Sequence, residues 1–163
     1  MGTQELSRTV AVAGFDEWRE RGAEMIIGID PGQNTGIAVF KDGILWKLQT
    51  IEPHQIASYL LNALPRRVAF EDSRLISHSF TTVKSRPAAL KIARNVGEID
   101  AWCKLIVSVC ADIGVPAHGI SPKHKGAKLN AELFGKLTGW QGSSNQHERD
   151  AAMCAWPVRR AAK

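Results

Sequence analysis

The sequence predicts an α/β domain built on a five-stranded mixed sheet, an antiparallel meander followed by parallel strands, with flanking helices. Three observations predict it. Residues 25–50 hold three short apolar runs joined by tight turns, the pattern of a meander. Two more apolar runs, at 67–71 and 115–120, each follow a helical segment, the alternation that produces parallel pairing. The first and fourth runs also share an ending, a lone carboxylate, Asp30 in one and Glu71 in the other.

The 163 residues suffice for one domain with a real core, expected over 25–163, preceded by an extension over 1–24. No apolar run approaches the roughly 20 residues that cross a bilayer, and no secretory signal is expected. Cys103, Cys110 and Cys154 are odd in number and lack C-x-x-C spacing, which predicts reduced thiols and a cytoplasmic setting rather than a disulfide or zinc framework. A net charge of +5 points toward an anionic partner such as nucleic acid, although many basic proteins bind none.

Ile26, Ile27 and Ile29 make the first strand β-branched and buried. Pro31-Gly32 stops it, Gly36 lets the backbone pass close to something, and the Gly32-to-Gly36 turn reads as the clearance that lets metal and phosphate approach. Lys41-Asp42-Gly43 is a hairpin turn, and Ile44 to Thr50 the third strand. Apolar positions Ile56, Tyr59, Leu60 and Ala63 give helical spacing between Pro53 and Leu64, ended by Pro65. After the strand Arg67–Glu71, the Ser/Thr-rich stretch 73–85 reads as a mobile loop. A long helix is expected from Pro87 to about Ile113, with an apolar stripe through Ile92, Val96, Ile99, Cys103, Ile106 and Cys110. Gly97 within it either admits a close neighbour or is merely tolerated. Val115 to Ile120 is the fifth strand. A basic loop follows at 121–128, then helices from about Leu129 to Leu137 and from Asn145 to Trp156, the last capped by Ser144 or Asn145.

A carboxylate at the end of a buried strand needs a partner or a cation. His147 and Asp150 lie three apart on one face of the last helix, so three segments offer acids or an imidazole. Gathered together, such carboxylates repel until a cation enters. Two metals roughly 3.5–4 Å apart, bridged by Asp30, clamp the attacking and leaving oxygens of a phosphodiester. Oxygen ligands favour Mg²⁺, with Mn²⁺ as substitute. Asp72 competes with Glu71, but strand alternation lets only one of them face the site.

The order Gly28-Ile29-Asp30-Pro31-Gly32 with Thr35-Gly36, then Ala69-Phe70-Glu71, then His147-Glu148-Arg149-Asp150-Ala151-Ala152 resembles the RuvC family of Holliday-junction resolvases, in the RNase H-like superfamily. The resemblance covers about 25–157 and looks closer to divergent or viral members. It implies an RNase H-like fold and a crossover junction endodeoxyribonuclease acting as a homodimer, with the long helix in the interface. It also implies Asp30, Glu71, His147 and Asp150 as catalytic metal ligands, and DNA contacts in the basic loop. The basic residues Arg74, Lys84, Arg86, Lys123, Lys125 and Lys128 are accordingly expected to meet the backbone of a four-way or other branched DNA. Many bacterial members have one more residue in the first turn and often Asp in place of His147, and where they have an apolar or aromatic residue this chain has Arg74, so their cleavage-sequence preference is not carried over. Such a nuclease would work in the cytoplasm of a bacterial or virus-infected cell. A broader branched-DNA nuclease and a catalytically silent junction-binding dimer are the alternatives. An actin-like ATPase would need a second domain and further phosphate loops.

Overall fold

The computed structural model describes residues 24–76 and 85–160. The predicted extension apart from Glu24, and the stretch 77–84 with Lys84, lie outside the described residues. Strand β1 (Met25–Asp30) pairs antiparallel with β2 (Thr35–Lys41), and β2 with β3 (Ile44–Ile51). Between β2 and β3, Asp42 and Gly43 both take positive φ, 49° and 81°. That is the backbone of a two-residue hairpin matching strand twist. Helix α1 (Ile56–Ala63) carries the chain back so that β4 (Arg67–Glu71) lies parallel to β1. The long helix α2 (Arg86–Asp112) repeats the manoeuvre, placing β5 (Ala117–Ile120) parallel to β4. The sheet order is β3-β2-β1-β4-β5. Helices α3 (Ala131–Thr138) and α4 (Gln146–Ala155) complete the chain.

Side chains alternate across a strand, so this sheet has two different faces. Ile27, Ile29, Ile37, Val39, Val68 and Phe70 form one, a bulky apolar layer under α1 and α2. The other carries Gly28, Gly36, Ala38 and Ala69 on the same strands, and there α4 lies close, through Ala151, Ala152 and Ala155. A Cβ built on Gly28 would stand 2.1 Å from the Ala151 carbonyl oxygen. Built on Gly36 it would stand 2.0 Å from that of His147. At its Gly36 end the Gly32-to-Gly36 turn, expected to leave clearance for metal and phosphate, is filled by the backbone of α4.

Several boundaries differ from expectation for local reasons. Pro53–Gln55 form a separate tight turn before α1. β5 begins two residues late, because Val115 and Pro116 approach through Pro116, which accepts from the Val68 N–H but has no N–H to donate. Asn130 caps α3 by accepting from the Leu133 N–H at 2.9 Å, so that helix starts at Ala131 rather than Leu129. At the other end, Ser73–Leu75 form a helical turn rather than a loop, with the Ser73 hydroxyl donating to Asp100 at 2.7 Å. Glu24, assigned to the extension, is tied to Asp42 through its backbone and to Arg66 by an ion pair at 3.2 Å. Gly97 has nothing within 4 Å of a built Cβ, so it serves no close approach among the described residues. Indeed α2 from Arg86 to Glu98 is largely exposed, and only its later turns, at Cys103, Ile106 and Cys110, enter the core. Among the described residues no helix is long and apolar enough to cross a membrane.

Candidate active site

Asp30 and Glu71 end neighbouring parallel strands, and their even spacing from Gly28 and Ala69 sends both toward the face occupied by α4. Asp72, one residue on, is buried on the opposite side, where its carboxylate accepts from the Arg74 guanidinium at 2.8 and 2.7 Å. Those hydrogen bonds hold the Asp72 carboxyl below its ordinary pKa. Glu71 therefore belongs to the site and Asp72 to the core side.

Helix α4 supplies the other groups. Asn145 is its N-cap, accepting from the Glu148 N–H at 3.0 Å, while Glu148 accepts from the Asn145 N–H at 2.9 Å. Thr50 of β3 joins both, accepting from Asn145 at 2.7 Å and donating to Glu148 at 3.2 Å. This fixes the helix start against the sheet. His147 Nδ1 then lies 3.0 Å from Asp30 Oδ2, with about half of the imidazole exposed. Asp150 is buried, its side chain 6% exposed, and accepts from Gln146 Nε2 at 2.8 Å. Arg149 in turn donates to Gln146 at 3.1 Å, to the Ser144 carbonyl at 2.6 Å and to the Leu129 carbonyl at 2.9 Å. Gln146 and Arg149 thus orient Asp150. Sequence reasoning passed over both, though Gln146 stands four residues before Asp150 and three before Arg149 on one helix, a visible signal.

The unexpected occupant is Lys125. Its ammonium hydrogen-bonds Glu71 and stands 3.7 Å from Asp30 Oδ1 and 3.5 Å from Asp150 Oδ2. Its side chain is only 9% exposed. Burial works against its charge, but the Glu71 hydrogen bond and the charges of Asp30 and Glu71 outweigh it and keep the ammonium above its ordinary pKa. Burial raises the Asp30 carboxyl, opposed by Lys125 and the His147 hydrogen bond and reinforced by Glu71 and Asp150. Cys154, one turn beyond Asp150, lies buried in the same field; burial pushes its thiol up to about 12 and leaves it unreactive.

The four expected ligands therefore converge: Asp30, Glu71 and Asp150 on one ammonium, and His147 on Asp30. Among the described residues no three such side chains stand at metal-ligating spacing. Lys125 explains this, since its ammonium sits between the acids. By its chemistry the donor set suits a hard divalent cation, with three carboxylates facing one point and an imidazole at the rim. The expected DNA-binding residues divide. Lys128 is 71% exposed with Nζ 3.9 Å from Asp150, at the lip of the site. Lys123 and Arg86 are exposed, Arg74 is engaged with Asp72, and Lys125 is inside the cluster.

No family model matches the sequence, and no curated protein matches it. Solved structures do. A RuvC from T. thermophilus in complex with Holliday junction substrate superposes with a TM-score of 0.55 at 17% identity, over 82% of this chain and 90% of that one. A second structure of Thermus thermophilus RuvC gives 0.53 at 16% identity, over 81% of this chain and 91% of that one. At such identities the likeness concerns the course of the backbone, and on that ground the chain has the RNase H-like fold of the RuvC resolvase structures.

Proposed function

We propose that the protein is a Mg²⁺-dependent endonuclease that cuts branched DNA, four-way junctions foremost, by phosphodiester hydrolysis. The observation that carries this reading is the convergence of Asp30 and Glu71, at the carboxyl ends of β1 and β4, with Asp150 of α4, and of His147 on Asp30. The similar RuvC structure that holds a Holliday junction supplies the substrate class. Bound Mg²⁺, or Mn²⁺ in its place, supplies an activated water and neutralises charge on the scissile phosphate.

The chain's own residues do the rest. Asp30, Glu71 and Asp150 hold the metals, Asp150 in a fixed rotamer through Gln146. His147 hydrogen-bonds Asp30 from the solvent side, where its imidazole can ligate or carry a proton from the attacking water. Lys128, Lys123 and Arg86, with Lys84, grip the phosphate backbone, so binding weakens steeply with salt. Arg74, whose guanidinium is held by Asp72, is left out of this set. The first half of α2 is exposed, Leu90 and Ile92 included, and this segment is the one a second copy covers in a homodimer that cuts two opposed strands.

The test is cleavage of a synthetic four-way junction with and without Mg²⁺. Asp30→Asn is expected to abolish cleavage and keep junction binding; normal cutting by that variant overturns the assignment. Comparison with three-way and linear substrates separates a junction resolvase from a broader branched-DNA nuclease.

A further inference from the structure

Lys123, His124, Gly126 and Ala127 are all exposed, yet Lys125 in their midst is buried among acids. A lysine on a basic loop gains nothing from solvent in that position, and its long stem delivers the charge to the one point that three carboxylates share. Three clustered carboxylates without a cation would repel one another. The lysine sits outside regular structure: the turn Pro122–His124 precedes it, and Gly126 after it takes φ of 81° with nothing within 4 Å of a built Cβ. The ammonium can therefore leave without dismantling the sheet or α4.

We propose that Lys125 is the resident cation of the acidic site: its ammonium holds Asp30, Glu71 and Asp150 together in the metal-free protein, and divalent-metal binding expels it to the rim, where it contacts substrate phosphate. This rests on the metal-binding reading above. The rim already carries Lys128, 3.9 Å from Asp150 and largely exposed, so a released Lys125 joins it as a second cation beside the acids. Metal and DNA affinity are then linked, each raising the other.

The test reads the wild-type chain by amine-directed acylation and mass spectrometry, with Lys123 and Lys128 as internal references. Lys125 is expected to be protected in EDTA and to be labelled severalfold faster in saturating Mg²⁺ or Mn²⁺. Labelling equal to Lys123 in EDTA, or continued protection at saturation, overturns the proposal. Saturation is established separately by calorimetric titration of Mn²⁺. Absence of saturable binding there sinks the metal reading itself, whereas binding with Lys125 still protected sinks only the exchange. Lys125→Met, which removes the competing charge and keeps the stem, is expected to bind Mn²⁺ at least about fivefold tighter. Equal or weaker binding by a folded variant counts against the exchange.

Discussion

Gly36→Ala tests the whole construction of the site with one methyl group. Gly36 pairs directly opposite Asp30 across β1 and β2, and it lies under the first turn of α4. The added Cβ would stand 2.0 Å from the His147 carbonyl oxygen, 2.3 Å from its carbon and 2.9 Å from the Glu148 nitrogen. Ordinary contact lies near about 3.5 Å, so the helix start must lift by roughly 1–1.5 Å. All three atoms are backbone, so no side-chain rotation relieves the clash. Overpacking of this kind costs about 1–3 kcal/mol. In a chain of this size that lowers Tm by roughly 2–12 °C. The lift also breaks the 3.0 Å contact between His147 and Asp30. A misplacement of about 1 Å at reacting groups can reduce turnover on the order of a hundredfold. Calorimetry and junction cleavage in Mg²⁺ measure both effects. Gly32→Ala is the control, since its Cβ meets nothing closer than 3.7 Å. Wild-type Tm and cleavage in Gly36→Ala would refute the packing argument. A lowered Tm with unchanged cleavage would instead show that the placement of His147 is irrelevant to the chemistry.

Gly97→Ala runs the other way: with nothing within 4 Å and helical neighbours on both sides, it is expected to stabilise by about 0.5–1 kcal/mol in urea unfolding. A loss of stability would mean that another surface, such as a second copy, packs on that glycine. Arg74→Ala is expected to cost about 2 kcal/mol at neutral pH, because it leaves the buried Asp72 carboxylate without its guanidinium, tempered by the partial exposure of Arg74. The folded pKa of Asp72 is depressed, so its stabilisation is present above the ordinary value of 3.8 and is lost as pH falls through the folded value. The gap between variant and wild type should therefore narrow below about pH 4 in denaturant titrations; a gap constant with pH refutes the pairing.

The reach of sequence reasoning differs from residue to residue, for physical reasons. Alternation along the strand says that only one of Glu71 and Asp72 faces the site, the parallel with Asp30 and the family resemblance favour Glu71, and the structure places the two on opposite sides. The Asp42-Gly43 turn carries a local chemical signature, positive φ, that needs no tertiary knowledge. Gly36 was half legible. Its type signals a close approach, but only the pairing of α4 with the small-residue face of the sheet shows that the visitor is the His147 carbonyl rather than a ligand. The small face itself, Gly28, Gly36, Ala38 and Ala69 at alternating positions, was visible beside Ala151, Ala152 and Ala155 on the last helix, and joining the two would have predicted the contact.

Lys125 was beyond such reading. Lys123, Lys125 and Lys128 sit on one loop with no periodicity to separate them, and which of them turns inward depends on where the acids converge. Electrostatics nevertheless implied that something of the kind was needed. Asp30, Glu71 and Asp150 cannot share a buried corner while all ionised unless a cation stands among them. That requirement was assigned to a metal when only the sequence was considered. In the fold it is met by the chain itself, with an ammonium that touches Glu71 and reaches the other two acids within 4 Å. The two answers are reconciled if one cation replaces the other, because the ammonium occupies the point that the three carboxylates face. The same crowding that makes Asp30 costly without a cation is thus what makes Lys125 and a metal competitors.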